Sequence, residues 1–419
     1  MPRTFNQPGI YIGEISVGSR TINGVPTSIA AFIGRAQRGP INRPIAVKSF
    51  VDFKTHFGGL CNASSIGFAV RDFFVNGGGQ AVILRLYRGD VSIANNATDA
   101  YATVDASCGG PLEVSDFLPI NGFDEQKGLY ALEQTDLFNL LCIPPYRSPD
   151  DVVDVDTALM TAAASYCEKR RAMLLLDAPK HCINSAAARE GISDLNNDNI
   201  GTRSRNAALF FPRLQQPNPL QGNQLQTFAA CGAVAGVFAR IDADRGVWKT
   251  PAGFDAQLHG VPQLSVHITD HENSELNALG VNCLRMFPTT GAVLWGARTL
   301  RGSKDLGDDY KYIAVRRTAL FIEESLLRGL MWTAFELNGE RLWAQIRLSV
   351  DAFMNSLFQR GAFQGTSERD AYFVRCDAQT TVQNDVNSGV VNVMVGFAPL
   401  KPAEFLILNI QLNLRPVDT

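Results

Sequence analysis

Apolar residues recur along this chain at two distinct periods, and the clearest helical case runs from Lys311 to Gly361. Val315, Ala319, Ile322, Leu326, Leu330 and Ala334 follow one another at steps of three or four; Leu342, Ile346, Val350, Phe353 and Leu357 then do the same. That spacing gathers the apolar side chains on one stripe of each of two amphipathic helices, joined at Asn338-Gly339. The opposite face of the second helix carries Arg341, Gln345, Asn355 and Gln359, a polar surface left free for a partner. The pair is a core element with no resemblance to catalytic machinery.

Period two is cleanest at the very end, in EFLILNIQLNL from Glu404 to Leu414. Leu406, Leu408, Ile410, Leu412 and Leu414 fall on one face of an extended strand, and Asn409, Gln411 and Asn413 on the other. A second lone strand, Ile10-Tyr11-Ile12-Gly13-Glu14-Ile15, opens the chain behind Pro8-Gly9 and has no hairpin partner beside it. Each terminal strand either closes its own sheet or adds to that of another molecule.

Between them, from Ser28, apolar strands alternate with helices. Strands are predicted at IAAFIGRA (residues 29–36), AVILRLYR (81–88), LFNLLCIP (137–144), AMLLLD (172–177) and AALFFP (207–212). Helices are predicted after Ser49, after Ser64 or Ser65 up to the stop at Asn76-Gly77, through TALMTAAASYCEKRR, and through the small-residue stretch TFAACGAVAGVFARIDA. Strands apolar on both faces, alternating with helices, imply a mainly parallel sheet covered on both sides, and the Ala/Gly-rich helix suits a close approach to that sheet. Residues 89–128 are polar, Gly-rich and poorly periodic, and no element is predicted there. The C-terminal third opens with two strands around the turn in VNCLRMFPTTGAVLWGART (281–299); the helix pair, AYFVRCD (371–377) and VVNVMVG (390–396) follow, so this region is α+β.

Composition narrows the function. At 419 residues and 46% hydrophobic content the chain has ample material for two or three cores. A net charge of -3 provides no basic field to hold nucleic acid. The eight cysteines are scattered without a Cys-x-x-Cys pair, the pattern of ordinary buried thiols in a reducing cytoplasm. No signal-peptide core opens the sequence, and the longest apolar run, Phe228 to Ala239, is short of the roughly 20 residues of a membrane span. The expectation is a soluble product made in the cytoplasm.

Several fragments imitate active sites. His267-Ile268-Thr269-Asp270-His271-Glu272 has zinc-motif spacing, but Thr269 or Asp270 also suits the N-cap of the helix that follows, and capping is the reading adopted. Gly365-Thr366-Ser367 and His259-Gly260 match pieces of subtilisin-type protease motifs; Ser367, just before Glu368 and Asp370, is read as a turn or cap. Asn76-Gly77-Gly78-Gly79 follows a helix and precedes a strand, the reverse of a phosphate loop. Arg316-Arg317 and Lys169-Arg170-Arg171 are assigned to solvated faces or ion pairs. No catalytic residue, cofactor or metal is expected.

Longer stretches are more specific. PGIYIGEI, GVPTSIAAFIGRAQRGP, SFVDFKTHFGG, AVRDFFVNGGGQAVILRL, GLYALEQTDLFNLLCIPP and RGVWKTPAG occur in that order. LNALGVNCLRMFPTTGAVLWGARTL, YKYIAVRRTALFIEESLLRGLMWTAFELNGERLW, YFVRCDAQTT and APLKPAEFLILNI follow. Through them most of the chain resembles the contractile tail sheath proteins of contractile phages, R-type pyocins and extracellular contractile injection systems. The resemblance implies an α/β plus α+β fold: an N-terminal arm over 1–27, a subtilisin-like middle domain over 28–275, a compact inner sheath domain over 276–403 and a C-terminal strand arm over 404–419.

It also implies a function. Terminal strands would complete sheets in neighbouring subunits, through Ile10, Tyr11, Ile12, Ile15, Phe405, Leu406, Leu408, Ile410 and Leu412. The subunit would polymerise helically around an inner tube and contract from a metastable extended state, driving the tube through a target membrane. Its partners would be itself, the tube protein, and baseplate and terminal cap proteins, with no nucleic acid and no membrane insertion. Tube contact is assigned to Arg341, Arg347, Gln359 and Arg360. The finished particle would be a phage tail, a released extracellular particle or a membrane-anchored device. The alternatives are a monomeric, non-catalytic binding module and a subtilisin-like hydrolase.

Overall fold

A computed structural model describes residues 20–89, 108–147, 153–193, 200–301, 308–400 and 406–413. It shows a mixed α/β protein built around one large sheet. The first strands, β1 (Ala30–Gly34), β2 (Ile45–Val47), β3 (Ala81–Arg85), β4 (Leu140–Cys142), β5 (Met173–Asp177) and β6 (Ala207–Phe211), all join it. A small side sheet of β7 (Leu214–Asn218), β8 (Gln224–Phe228) and β9 (Gln263–Leu264) interrupts the series. The hairpin β10 (Val281–Phe287) and β11 (Gly291–Leu294) then completes the large sheet in the order β11-β10-β6-β5-β4-β1-β3-β2. The six inner strands are parallel, and only the edges β2 and β11 run antiparallel. Ala30 lies opposite Ala81 on one side and Leu140 on the other, so β1 is where the strand order reverses.

The inner strands are buried on both faces because helices cover both. Phe32, Ile83, Leu140 and Leu175 point to a layer filled by Phe53, Phe73, Val234 and Phe238, from α1 (Phe50–Phe57), α2 (Ile66–Val75) and α6 (Cys231–Arg245). Their neighbours Ile33, Leu84, Leu141 and Leu174 point to the other layer. There they meet Phe117 of α3 (Val114–Phe117), Leu159 and Ala163 of α4 (Thr157–Lys169), Ile192 of α5 (Ser185–Ser193) and Leu276 of α7 (Asp270–Ala278). The alternation follows from the two-residue period of a strand.

A third core belongs to the C-terminal part. Here α8 (Ile313–Gly329) and α9 (Glu340–Gln359) pack against a sheet of β12 (Tyr372–Arg375), β13 (Val390–Phe397) and β14 (Leu406–Asn413). Val315, Ala319, Ile322, Leu326 and Leu330 meet Leu342, Ile346, Val350, Phe353 and Leu357, with Val391, Val393, Val395 and Phe397 closing the far side.

Several expectations need correction. The first long helix stops at Gly329, not at Ala334, which is exposed; a Cβ at Gly329 would collide with Ile22, so the buried N-terminal segment requires the glycine there. The helix α6 packs on the sheet as expected, but Gly232 and Gly236 serve its approach to α2, since a Cβ at either would strike the carbonyl oxygen of Ala69 or Phe73. Thr227 and Phe228, expected in the same helix, belong to β8. The hairpin grouped with the C-terminal third pairs in parallel with β6 through Val281, Asn282 and Cys283. Cys61 and Cys108 form a disulfide, whereas Cys142, Cys167, Cys182, Cys231, Cys283 and Cys376 are free and buried.

One buried carboxylate makes the fold pH-sensitive. Asp72 on α2 is pushed up to about 6 by burial, against the opposing pull of Arg71, whose Nε donates to it at 3.0 Å. A carboxyl whose folded value lies above its unfolded one binds its proton more tightly when folded, so stability falls as the pH rises from about 4 through about 6. Asp72→Asn should flatten that slope and raise stability at pH 8 by on the order of 1–3 kcal/mol. The advantage should vanish below about pH 4 in urea titrations.

Candidate assembly surfaces

The polar face of α8 is buried, and it joins the C-terminal part to the large sheet. Arg317 donates from Nη1 and Nη2 to the two carboxylate oxygens of Asp242 on α6, at 2.9 and 2.6 Å. Each of the two side chains is only 3% exposed. Thr27 completes the cluster: its hydroxyl donates to Asp242 at 2.7 Å, and its carbonyl accepts from Arg317 at 2.9 Å. The guanidinium also lies 5.0 Å above the Phe238 ring. One turn of charge therefore ties three segments, the N-terminal track, α6 and α8, into a single knot.

Flanking contacts extend it. Arg316 donates to Asn206 at 2.8 Å, and Asn206 in turn donates to the Ala172 carbonyl at 2.9 Å beneath β5 and β6. Glu324 receives Arg171 at 3.1 Å and Arg328 at 2.7 Å, and Arg328 reaches Asp136 at 2.8 Å. Hydrogen bonding to Asp136 and then Glu324 raises the Arg328 guanidinium above its ordinary value. Arg316-Arg317 and Arg171 are thus ion-paired. Asp242, the partner of Arg317, sits so far from it in the chain that no local pattern could have identified it.

The C-terminal strand closes its own sheet in the single chain. β14 pairs antiparallel with β13 over eight residues, which sets Leu406, Leu408, Ile410 and Leu412 opposite Phe397, Val395, Val393 and Val391. Among the described residues nothing pairs with the outer edge of β14. Ile10, Tyr11, Ile12, Ile15 and Phe405 lie outside the described residues.

The four residues expected at the tube do not converge. Arg347 donates to Glu340 at 2.7 Å and to the Cys376 carbonyl, while Arg360 lies 5.0 Å over the Trp248 ring. Arg341 and Gln359 are exposed and share one azimuth of α9, but lie about 27 Å apart along it. Between them the same face presents Ala344, Leu348 and Ala352, all exposed. They repeat at four-residue spacing opposite the buried stripe.

The imitations of active sites are used locally. Thr269 and Glu272 form a reciprocal capping box, with Glu272 N–H donating to Thr269 Oγ1 at 3.3 Å and Thr269 N–H to Glu272 Oε2 at 2.9 Å. Ser367 donates to Asp370 at 2.7 Å at the head of a short helix. The backbone of exposed His259 donates to Asn76 at 2.7 Å, and Gly77 takes a φ of 105° that ends α2. Among the described residues no group of three His, Cys, Asp or Glu side chains is placed to hold a metal. A cleft of about 520 Å³ beside the carboxyl ends of β5 and β6 is lined by Arg147, Asp154, Lys180, Cys182 and Arg213; Arg213 is paired with Asp154. Beneath it, buried Asp177 accepts from the N–H groups of Ala230 and Cys231 at 2.5 and 3.0 Å, anchoring the start of α6 to the end of β5.

Comparison with known proteins assigns these surfaces a context. The family model for the phage tail sheath protein central domain matches residues 121–300, and that for the phage tail sheath C-terminal domain matches residues 305–413. A putative prophage major tail sheath protein of Pseudomonas aeruginosa (strain UCBPP-PA14) is 24% identical over 408 residues, spanning 94% of each chain. The chain spans only 25% of the length of the tail sheath protein of Vibrio phage KVP40, with 25% identity over 179 residues. A chain of the anti-feeding prophage helical sheath in its contracted state superposes with a TM-score of 0.70 at 27% identity, covering 97% of this chain and 99% of that one. A chain of the anti-feeding prophage baseplate does so with a TM-score of 0.69 at 26% identity, covering 97% and 98%.

The Arg317–Asp242 knot generates a sharp expectation. Arg317→Met or Asp242→Leu alone leaves one buried charge unpaired and should cost about 3–5 kcal/mol in denaturant titrations. The double substitution should recover most of that loss, giving a double-mutant coupling energy well above 1 kcal/mol.

Proposed function

The chain belongs to the phage tail sheath family, and we propose that it is a sheath subunit whose terminal strands stitch a helical polymer around an inner tube. It is a structural protein in this reading, with a subtilisin-like three-layer body that carries no protease chemistry. An arm would occupy residues 1–27 and the C-terminal sheath domain would begin near residue 305, a boundary supported by the two family matches and by the place of β10 in the large sheet. Subunits made in the cytoplasm would end in a phage tail or an extracellular particle. No helix among the described residues is long and apolar enough to cross a membrane.

The observation that carries the reading is the pairing of β14 with β13. An edge strand supplied by the end of the chain makes the same hydrogen bonds whichever copy donates it, so exchange between neighbours preserves the register. Eight paired residues offer backbone hydrogen bonds worth roughly 0.5–1.5 kcal/mol each, against about 1–2 kcal/mol per residue for ordering the strand. One tie is modest; many around a ring act together, because each later contact is effectively intramolecular. Contraction would then be a switch between two packings of nearly rigid subunits, with its energy stored in the extended one and no nucleotide consumed. The exposed face of α9, with Arg341, Ala344, Leu348, Ala352 and Gln359, is the proposed tube contact; baseplate and cap proteins would close the ends.

Closure of the chain's own sheet by β14 also suits a self-contained binding module, and the test separates the two. In negative-stain electron microscopy with the tube protein present, the full chain should form hollow, striated cylinders and a variant ending at Leu400 should not. Cylinders from the shortened chain would remove the stitching role. Uniform monomers from the full chain would favour the binding module. Within cylinders, Val393→Cys with Ile410→Cys, a directly opposed pair, should give a ladder of covalent oligomers on non-reducing gels.

A further inference from the structure

The connection between α8 and α9 turns three apolar side chains outward. Met331 is 71% exposed, Phe335 79% and Leu337 92%. Phe335 has a φ of 72°, a left-handed conformation uncommon for a bulky residue, which holds its ring away from the core beneath. The far end is fixed: Asn338 donates to the Val390 carbonyl at 3.0 Å and accepts from Trp343 Nε1 at 2.9 Å. A cluster of this kind on a fixed elbow marks a contact surface.

The path of the N-terminal segment identifies what covers it. Residues 20–27 run along α8 in the opposite direction, from the Thr27–Arg317 contact at one end toward the elbow at the other. Val25 N–H donates to Ser325 Oγ at 3.1 Å, Ile22 is buried against Gly329, and the Arg20 guanidinium lies 4.7 Å over the Trp332 ring. Arg20, the first described residue, therefore sits next to the elbow at Trp332. Upstream in the sequence, Ile15 and Val17 alternate with Glu14 and Ser16, the spacing that puts two apolar side chains on one face of an extended segment. Chain length would let Val17 reach at most about 10 Å from Arg20 and Ile15 about 18 Å, enough to meet a surface that begins beside Trp332.

We propose that the apolar elbow of Met331, Phe335 and Leu337 is the docking surface for Ile15 and Val17 of the same chain. The contact fixes the point from which the rest of the arm departs, leaving Ile10, Tyr11 and Ile12 to reach outward. It needs no second subunit, so it stands or falls separately from polymerisation.

The test uses the full chain, dilute and monomeric. Val17→Cys with Leu337→Cys, mildly oxidised and mapped by peptide mass, should form an intramolecular disulfide at least tenfold more often than Val17→Cys with Leu225→Cys on the side sheet. Bonds no more frequent than the control, or found only between molecules, would overturn the proposal. In parallel, Ile15→Ser with Val17→Ser should speed amide exchange across residues 331–337 at least tenfold relative to the unaltered chain. Unchanged exchange would likewise count against it.

Discussion

A guanidinium and a carboxylate withdrawn from water, Arg317 and Asp242, are the constraint on which the geometry of this subunit depends. Such a pair is costly to bury and stays folded only if every polar atom around it is matched. Here both carboxylate oxygens accept from Arg317, one also accepts from Thr27, and the ring of Phe238 covers the cation. The requirement for matching is directional. It fixes α8 against α6, and through α8 it fixes the neighbouring α9, the three-stranded sheet and the track of residues 20–27.

That arrangement divides the chain into a body and its extensions. The body is three cores, two sharing the large sheet and the third joined to them by buried charge; both extensions leave from its C-terminal half, one along α8 and one after β13. Under the proposed stitching, a polymer of such units would change its packing without melting any core, because strand ties make the same hydrogen bonds whichever copy supplies them. The family relationship gives this division its purpose. Contraction calls for subunits that keep their shape while their neighbours move.

Much of this was legible in the sequence, and the remainder was hidden for physical reasons. Strands such as AAFIG and AVILR declare themselves because burial on both faces leaves only apolar choices, and α9 because its buried stripe repeats over five turns. The side sheet of LQQPN and QLQTF was missed: it is rich in Gln and Asn, carries Pro217, and β8 has little buried surface to impose alternation. The end of α8 was misplaced because Leu330 and Ala334 continue the helical spacing beyond Gly329, where the helix ends. The Cys61–Cys108 bond and the Asp242 partner of Arg317 depend on distant segments that no local spacing records. Of the residues expected at the tube, Arg347 and Arg360 also make contacts within the subunit, which their spacing along α9 does not announce.

The central claim is that the subunit is rigid across the Arg317–Asp242 junction. Electron cryomicroscopy of the sheath before and after contraction tests it most directly, by superposing the subunit from the two states. The account predicts that the described residues from 20 to 400 overlay as one body, with Arg317 and Asp242 still paired. A rotation between α6 and α8 that separates the pair would contradict it.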